Sequence, residues 1–460
     1  MMGPASEVDV AVIGAGAAGI AAARRLAEAR EVSLLVLEGR TRPGGRAWTV
    51  DAGGYPGDLG CEWLHSADRN VLVPLAGRLG LALDRRRPDW TTRLSRSGES
   101  KEAEADWMRE REAHYWAIHR AALEPEDRPA STVLPPGGRW NPLLEAISTW
   151  SNAVELEELS VKDNDRYEST EHNWRVLKGL GSLFVALAEG LPIAFDATVS
   201  RVEHDGARIR LATRSGTVSA ARVIVTVPTA AIAGEQLVFD PPLPDKVAAA
   251  AGLPLGLANK LFLHLDGALP DSDDELFLVG STTRRETMSY QVRPLGRPRI
   301  NCFFGGRFAA QLERDGIAAM AAFAADELAG LFGNDIRPQL SPLAASAWRG
   351  DPFARGSYSY ALPGHADDRA RLAEPVDNRL FFAGEACSPH FFSTAHGAYE
   401  TGTAAAEAAL ASLHAKLEKP HPNPPSQAGE ELGGASQPKT LPRLRGRVGR
   451  GLVRRGAGVR

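Results

Sequence analysis

Apolar positions in the first 40 residues follow first a strand pattern, then a helical one, then a strand pattern again. "VDVAVIG", residues 8–14, is an apolar run interrupted only by Asp9 and ending in glycine, and it predicts a strand. "AGIAAARRLAEAR", residues 18–30, places alanine and leucine at helical spacing and predicts a helix. "EVSLLVLEGR", residues 31–40, predicts a second strand. The chain therefore opens with a βαβ unit.

The pattern changes after about residue 85. Segments such as "EADWMREREAHYWAIHRAAL" are rich in tryptophan and charge and predict a mainly helical layer as far as about residue 190. Strict alternation returns in residues 197–228, where Asp-Gly and Ser-Gly pairs mark turns. This pattern predicts an antiparallel meander whose last strand rejoins the first sheet.

The later elements are predicted from shorter runs. Strands are expected in "NKLFLHLDG" and "PRINCFFGG", and a helix in "GIAAMAAFAADELAGLF". The last pair is a strand in "NRLFFAGEA" and a long helix in "GAYETGTAAAEAALASLHAKL". Because strands of the first type reappear late in the chain, we expect two domains that interleave along the sequence.

Composition restricts the class of protein. The chain has 460 residues, 43% of them hydrophobic, which is enough for a large core. A formal net charge of -4 gives no reason to expect a nucleic-acid partner, and no apolar run is long enough to span a bilayer. The start lacks the basic region and cleavage site of a signal peptide, and the cysteines Cys61, Cys302 and Cys387 match no metal spacing. We expect a cytoplasmic protein with free, packed thiols and no metal.

The segment from residue 416 to residue 460 differs from the rest. It carries ten Lys or Arg against three Glu, with many prolines and glycines and few large apolar groups. Such a composition predicts a disordered basic tail.

A glycine fingerprint lies at the first strand-to-helix junction. In "GAGAAG", Gly14 permits a tight turn, Gly16 lets a diphosphate approach the backbone, and Gly19 allows close helix–strand packing. Glu38 ends the second strand, where a carboxylate accepts hydrogen bonds from ribose hydroxyls. Strand, helix and acid together predict a dinucleotide site at the helix N-terminus.

A second glycine pair follows in "EGRTRPGGRAW", residues 38–48, with an arginine directly behind it. A second loop with a fixed cation can reach the same diphosphate. This segment resembles the E-x-R-x-x-x-G-G-R pattern of the FAD-dependent flavin amine oxidase family. The resemblance implies that FAD is bound by Glu38, Arg40, Gly44, Gly45 and Arg46.

Four longer segments extend the resemblance over nearly the whole predicted fold, and they are most similar to the polyamine oxidases. They are "YPGDLGCEWLHSADRN", "LPLGLANKLFL", "WRGDPFARGSYSYALPG" and "FFAGEACSPHFFSTAHGAYETG". The glutamate of the last segment can accept hydrogen bonds from ribityl hydroxyls, and the helix beginning near Ala395 would stabilise negative charge on the flavin. Further cofactor-binding residues implied by the resemblance are Ala18, Gly60, Val199, Val202, Trp348, Gly384, Glu385, Thr394 and Ala395.

Lys260 stands within an apolar strand. A buried ammonium group must reach solvent, pair with an acid, or serve chemistry, because burying it unpaired is costly. In the family, the matching lysine holds a water near the reactive flavin nitrogen. The resemblance therefore implies a catalytic Lys260.

Departures from the monoamine oxidases narrow the expectation. Ser357 stands where those enzymes attach FAD through cysteine, so we expect non-covalent FAD. Tyr358 and Thr394 stand where they use two tyrosines as substrate walls. His65 matches a histidine that lines the polyamine site; the alternative is an ordinary surface histidine. Glu62, near it, could attract a distal ammonium group, although its position is variable in the family.

The expected fold is α/β, with a Rossmann-like FAD-binding domain interleaved with an α+β substrate domain made of a mixed sheet and helices. The FAD-binding domain would take residues 1–85, 195–255 and 345–415, and the substrate domain residues 86–194 and 256–344.

The expected activity is FAD-dependent oxidation of an amine, with a polyamine favoured by the resemblance. Hydride would pass from the amine α-carbon to flavin N5, the imine would hydrolyse, and O2 would reoxidise the flavin and give hydrogen peroxide. The alternatives are an amino-acid oxidase, a flavin desaturase or oxidase of a non-amine substrate, and a flavin-binding scaffold without turnover. The sequence specifies neither the amine nor the oligomeric state.

Overall fold

The computed structural model describes residues 7–88, 90, 94, 97–267 and 275–417. The prediction of a disordered tail falls, from residue 418 onward, outside the described residues. Among those that are described, no helix has both the length and the apolar character needed to cross a membrane.

The strands carry the two main sheets and two small ones. In chain order they are β1 (Glu7–Ile13), β2 (Leu34–Leu37), β3 (Thr49–Asp51), β4 (Pro56–Asp58), β5 (Trp63–Leu64), β6 (Leu83–Asp84), β7 (Trp174–Val176), β8 (Ile193–Ala194), β9 (Val199–Glu203), β10 (Ile209–Thr213), β11 (Gly216–Val225), β12 (Val238–Asp240), β13 (Ala258–Leu265), β14 (Leu276–Val279), β15 (Ser289–Val292), β16 (Arg299–Gly305), β17 (Leu340–Ala345) and β18 (Leu380–Phe382).

The α-helices cover the sheets and form the helical layer. In chain order they are α1 (Ala17–Glu28), α2 (Leu72–Arg78), α3 (Lys101–Ala122), α4 (Asn141–Ser151), α5 (Val161–Arg166), α6 (Leu180–Ala188), α7 (Thr229–Ala233), α8 (Pro244–Gly252), α9 (Gly306–Asp315), α10 (Ile317–Phe332), α11 (Asp368–Ala373) and α12 (Ala395–Leu417).

The first sheet has the order β12-β9-β10-β11-β1-β2-β8, with β18 also paired to β11. Strands β9, β10 and β11 pair antiparallel, and β11 then runs parallel to both β1 and β18. The predicted βαβ unit and the meander that rejoins its sheet are therefore confirmed. Strand β1 is apolar along nearly its whole length because both faces of the sheet are covered.

The second sheet has the order β14-β15-β16-β13-β17, and its pairings in the described chain are all antiparallel. A mixed sheet was expected in the substrate domain. Parallel and antiparallel pairings are found together in the first sheet instead, so the mixed sheet lies in the other part of the fold. Because side chains alternate along a strand, Leu261 and Leu263 enter a core shared with α9 and α10. Lys260 is left on the opposite face, paired across the sheet with Phe303.

The predicted helical layer contains α3, α4 and α5, which share a core with three buried tryptophans. One strand within it was not predicted: β7, which pairs with β5 and β6. Its three residues are too few to show an alternating pattern, and its position is set by partners more than 90 residues away in sequence.

The two sheets draw on different parts of the chain. Strands of the first sheet come from residues 7–37, 193–240 and 380–382, and those of the second from residues 258–345. Residues up to Lys416 nevertheless make one compact unit. The division into two interleaved domains, with the boundaries given above, stays a prediction.

Candidate active site

A cavity of about 1430 Å³ extends from the loop after β1 to the Lys260 face of the second sheet. Its lining includes residues of the first sheet, of the second sheet and of the helical layer. Most of the residues singled out in the sequence lie on it. They are Gly14, Gly16, Ala18, Glu38, Arg40, Gly44, Gly45, Arg46, Gly60, Glu62, His65, Val199, Lys260, Trp348, Ser357, Tyr358, Glu385, Thr394 and Ala395.

The two glycine loops meet at the N-terminus of α1. Gly14 has a φ of +103°, which favours glycine, and a Cβ on Gly19 would lie 1.8 Å from the Gly14 carbonyl oxygen. A Cβ on Gly16 would meet no heavy atom within 4 Å, because this residue faces the cavity. The Gly44 N–H donates to the Ala15 carbonyl at 2.8 Å and joins the second loop to the first.

Glu38 and Arg40 are held in place at the same end of the cavity. The Glu38 carboxylate accepts hydrogen bonds from the backbone N–H groups of Ala15 at 2.6 Å and Arg40 at 2.8 Å. The Arg40 guanidinium makes two parallel bonds to Asp351, at 2.6 and 2.7 Å. Asp351 belongs to the "WRGDPF" segment, so this pair explains why two distant motifs occur together.

Arg46 and Glu385 form an ion pair deeper in the cavity, with Arg46 Nη1 2.9 Å from Glu385 Oε1. Arg46 also donates to the Ser357 carbonyl at 2.6 Å, and Glu385 accepts from the Ser359 hydroxyl at 2.7 Å. Burial alone would raise the pKa of Glu385, but the charge of Arg46 and these hydrogen bonds hold it below its usual value. Glu385 therefore stays ionised, as an acceptor for hydroxyl groups must.

A buried network behind Glu385 was missed in the sequence. Arg369 donates to the Ser359 hydroxyl at 2.9 Å and to the Asp163 carboxylate at 2.6 and 2.7 Å. The side chains of Arg369 and Asp163 are 2% and 0% exposed. Asp163 lies in the helical layer, so the ion pair links this layer to the "GSYSY" segment. In the sequence, Asp163 and Arg369 each stand among other charged residues, and nothing there sets them apart.

The N-terminus of α12 closes the same part of the cavity. The Thr394 hydroxyl accepts from the Gly397 N–H at 3.0 Å, so Thr394 caps this helix as well as lining the cavity. Ala395 opens the helix and also lines the cavity. The first N–H groups of a helix lack acceptors within it and carry partial positive charge, which suits an anionic ring edge.

Lys260 is both paired and inside the cavity. Its ammonium group is 2.8 Å from Glu62 Oε2 and donates to the Asp58 carbonyl at 2.9 Å, and the residue is only 8% exposed. Burial would raise the pKa of Glu62, yet the charges of Lys260 and Arg175 lower it, so the pair is ionic. Burial also raises the pKa of the Asp58 side chain to about 6, against the hydrogen bond from Thr49. The Asp58 carboxylate accepts from the Leu180 N–H at 2.9 Å and thus stabilises the start of α6.

His65 and Tyr358 have fixed orientations in the wall. His65 Nδ1 lies 2.7 Å from Asn173 Oδ1, and burial lowers the pKa of His65, which favours the neutral ring. The Tyr358 hydroxyl donates to the backbone carbonyl of Trp150. The Ser357 hydroxyl accepts from the Ala258 N–H and donates to the Ala258 carbonyl, both at 2.8 Å.

Beyond Lys260 the cavity is walled by aromatic rings that the sequence analysis did not identify. We call this part the aromatic chamber and define it by Trp63, Trp90, Trp107, Trp150, Phe277 and Phe303. They come from five separate elements and one loop, so no short motif could show that they meet. Trp63, Trp90 and Phe277 pack edge to face or tilted, with ring centroids 5.3 to 6.5 Å apart.

Three expected cofactor-binding residues do not line this cavity. Val202 is fully buried in the core of the first sheet, so its predicted contact with the cofactor is wrong in this structure. Gly19 packs α1 against the loop, as its role in the fingerprint requires. Gly384 bonds through its backbone to the Thr401 hydroxyl at 3.0 and 3.1 Å behind the cavity wall.

The three cysteines are free. Burial raises the pKa of Cys61 and of Cys387 to about 12, and that of Cys302 well above its usual value. Cys302 and Cys387 are buried and Cys61 is half-buried, and neutral thiols fit the packing role expected for them.

The fold and site define a dinucleotide-binding protein. A second, aromatic part of its cavity begins at the buried ammonium group of Lys260. Residues 17–410 match the family described as flavin containing amine oxidoreductase, and the chain belongs to that family. Polyamine oxidase 4 of Oryza sativa subsp. japonica is 30% identical over 444 residues, covering 88% of this chain and 88% of the relative. The expected family and its class of enzyme are confirmed.

Solved structures show the same fold. Wild-type putrescine oxidase bound to putrescine has a TM-score of 0.71 at 20% identity, covering 88% of this chain and 99% of that chain. Cyclohexylamine oxidase from Brevibacterium oxydans IH-35A has a TM-score of 0.71 at 19% identity, with the same coverage. The expected α/β flavoprotein architecture is confirmed.

The cofactor is FAD, and the residues present fit it. The open space above Gly16, the closeness of the two glycine loops and the paired Arg46 and Glu385 form a cradle for a diphosphate and a hydroxylated chain. A serine at position 357 offers no thiol there, so FAD is held non-covalently.

Two glycine variants separate cofactor binding from folding. We expect Gly16→Ala to fold normally but to bind FAD at least about ten-fold more weakly, because its methyl group enters the space that a diphosphate needs. We expect Gly19→Ala to lower the melting temperature of the apoprotein, because its methyl group would overlap the Gly14 carbonyl. FAD titration by fluorescence and thermal unfolding of apoprotein check both; equal FAD affinity in Gly16→Ala and wild type contradicts the placement of the diphosphate.

His396, in the first turn of α12, makes stability depend on acid. Burial is the main cause that lowers the pKa of His396 to about 3, and the positive charge of Arg69 adds to it. The folded state therefore binds fewer protons than the unfolded state between that value and the ordinary histidine pKa, and stability is lost as the pH falls through this range. From about pH 7 to about pH 4.5 we expect wild type to lose roughly 2 kcal/mol more unfolding free energy than His396→Gln. The exposed residue His390 gives the control His390→Gln, whose pH profile should follow wild type.

Proposed function

We propose that the protein oxidises a small-molecule amine at the junction between the FAD cradle and the aromatic chamber, with Lys260 as a catalytic residue. The observation that carries this proposal is the position of Lys260: an ammonium group, almost fully buried, on the wall of a cavity that also contains the dinucleotide cradle. A desaturase acting on an apolar substrate would have no use for a cation held there.

Bound FAD would supply the two-electron acceptor for oxidation at the carbon beside the amine nitrogen. The chain holds it through the glycine loops, Glu38 and Arg46, while Glu385 accepts hydroxyl hydrogen bonds. The N-terminus of α12, at Ala395, lines the cavity and would stabilise negative charge on a reduced flavin. Gly60 and Trp348 complete the wall on the side of the second glycine loop.

Lys260 has a donor to spare. An ammonium group has three N–H donors, and the described chain takes two of them, through Glu62 and the Asp58 carbonyl. The third is available to hold a water molecule in the cavity. A water fixed there can receive a proton or hydrolyse an imine without entering from bulk solvent.

Neutral groups around the amine suit the reaction. A hydride leaves most easily from an unprotonated amine, and the neutral His65 ring offers a nitrogen that can accept its N–H. Tyr358 and Thr394 limit the approach to the ring, and the fixed Tyr358 hydroxyl keeps its aromatic wall in one orientation.

The finer parts of the prediction rest on resemblance. The names of the relatives, which are polyamine oxidases, support a polyamine as substrate and O2 as acceptor, with hydrogen peroxide as the product. A cytoplasmic location and a purely small-molecule partnership remain parts of the proposal.

The reductive half-reaction tests the proposal. FAD-loaded protein is mixed without oxygen with monoamines, diamines, spermine, acetylspermine and L-amino acids, and the flavin absorption band is followed. Bleaching by at least one amine, followed by peroxide release on admitting oxygen, is the expected result. Bleaching by amino acids alone would replace the amine with an amino acid, and no bleaching by any compound would favour a scaffold or a desaturase.

A further inference from the structure

The acids that line the cavity decide how many positive charges a substrate can carry. Among the described lining residues they are Glu38, Glu62, Asp196 and Glu385. Glu38 is bonded to the first glycine loop, and the Asp196 N–H donates to the Arg40 carbonyl at 3.1 Å, so both lie at the nucleotide end. Glu385 is paired with Arg46. Of the acids in the described lining, only Glu62 lies on the substrate side.

Glu62 is already neutralised. Its carboxylate is 2.8 Å from the Lys260 ammonium, and the nearby guanidinium groups of Arg175 and Arg299 also lower its pKa. A second ammonium group placed beside Glu62 would therefore lie close to Lys260 as well, and would gain little net attraction. The expectation from the sequence that Glu62 attracts a distal ammonium group is not supported by this geometry.

Among the described residues that line it, the aromatic chamber adds no carboxylate to Glu62. Aromatic faces attract cations, but the ring of Trp63 already carries the Arg175 guanidinium at 4.9 Å from its centroid. Trp90 and Phe277 pack edge to face, with their ring planes at 84°, so the two rings already occupy each other. The chamber therefore suits apolar groups, whose burial is favourable without any charge partner.

The charge at the exposed end of the described cavity is positive, whereas a polycation would be attracted by negative charge. Arg111, on α3 one turn after Trp107, lines the cavity there and has no hydrogen-bond or ion-pair partner within the described part of the chain. Its charge repels a second ammonium group that reaches out of the chamber.

From these four observations we infer that the substrate carries one amino group on a large apolar or aromatic body, and that diamines and polyamines are poor ligands. The inference rests on the proposed function for the position of the reacting amine, and it departs from the polyamine suggested by the relatives. A second ammonium group would have to lose its water in a chamber whose described lining provides no free carboxylate.

Binding of matched amines tests this inference without relying on turnover. Octylamine and octamethylenediamine have the same chain and differ by one ammonium group, and calorimetric titration of FAD-loaded protein without oxygen gives the affinity of each. We expect the diamine to bind at least about ten-fold more weakly, and spermine more weakly still. Equal or tighter binding of the diamine, or no binding of octylamine, would overturn the inference.

A charge reversal at the cavity mouth gives an independent measurement. We expect Arg111→Glu to tighten the binding of octamethylenediamine several-fold and to leave octylamine within about two-fold of wild type. Arg109→Glu is the matched control, because Arg109 lies on the same helix, is exposed and is bonded to Asp106 outside the cavity. If the ratio of octamethylenediamine affinity to octylamine affinity is the same in Arg111→Glu as in wild type, Arg111 does not contribute to the discrimination between the two amines.

The outcome also separates this inference from the proposed function. Octylamine that binds but leaves the flavin oxidised would refute amine oxidation and leave the ligand class intact. Rapid bleaching by spermine with weak bleaching by octylamine would support amine oxidation and refute the single-charge substrate.

Discussion

Lys260→Met should slow reduction of the flavin by amine, or its reoxidation, by roughly 10²–10³-fold while the purified protein stays yellow. The substitution keeps an unbranched side chain one heavy atom shorter and removes the charge and its three donors, so the cavity loses the group proposed to hold water. Stopped-flow absorbance measures both half-reactions, and FAD fluorescence measures binding. Wild-type rates in this variant would exclude Lys260 from the mechanism.

Two further variants distinguish chemistry from structural damage. Lys260→Met leaves the buried Glu62 carboxylate without its partner, so the double variant Lys260→Met/Glu62→Gln removes both charges. We expect the double variant to recover stability but not rate. Lys246→Met controls for loss of a buried lysine elsewhere: Lys246 donates to the Glu374 carbonyl at 2.6 Å and lies outside the cavity, so its loss should cost stability and leave the rates unchanged.

Asp163→Ala should lower the free energy of unfolding by about 3–5 kcal/mol, because it leaves the Arg369 guanidinium buried without its carboxylate. It also removes the acceptor of the Ala361 N–H, at 3.0 Å, in the segment that supports Glu385. Urea unfolding monitored by circular dichroism measures the change. We further expect weaker FAD binding, because Ser359 loses the arginine that orients it.

The matched control is an exposed ion pair. Arg337 and Asp326 lie 2.5 Å apart with side chains 42% and 69% exposed, and Asp326→Ala should cost no more than about 1 kcal/mol. Equal losses in Asp163→Ala and Asp326→Ala would mean that burial of the first pair contributes nothing to stability.

Local patterns predicted the elements that build the cofactor cradle. The glycine fingerprint, the acid at the end of β2 and the alternation of residues 197–228 each depend on residues close in sequence, and the structure has the corresponding turn, strand end and meander. Lys260 was conspicuous because a charge in an apolar strand is a local contradiction. Its cavity position therefore followed from sequence and resemblance together.

The parts that were missed depend on long-range contacts. Asp163 and Arg369 are 206 residues apart and look like ordinary surface charges until the fold buries them. The rings of the aromatic chamber come from distant elements, and β7 has too few residues to show a period. Val202 was misplaced because a strand register, which decides the neighbours of each side chain, cannot be read from one strand alone.

The cradle for the cofactor is assembled from both ends of the folded chain, with β1 and the glycine loops at one end and β18, Glu385 and α12 at the other, all brought together by β11. During synthesis, a ribosome must therefore release nearly 400 residues before the N-terminal loops find the partners that complete the binding surface. Before that point the nascent chain lacks part of the binding surface. We therefore expect FAD to bind only at the end of translation or later.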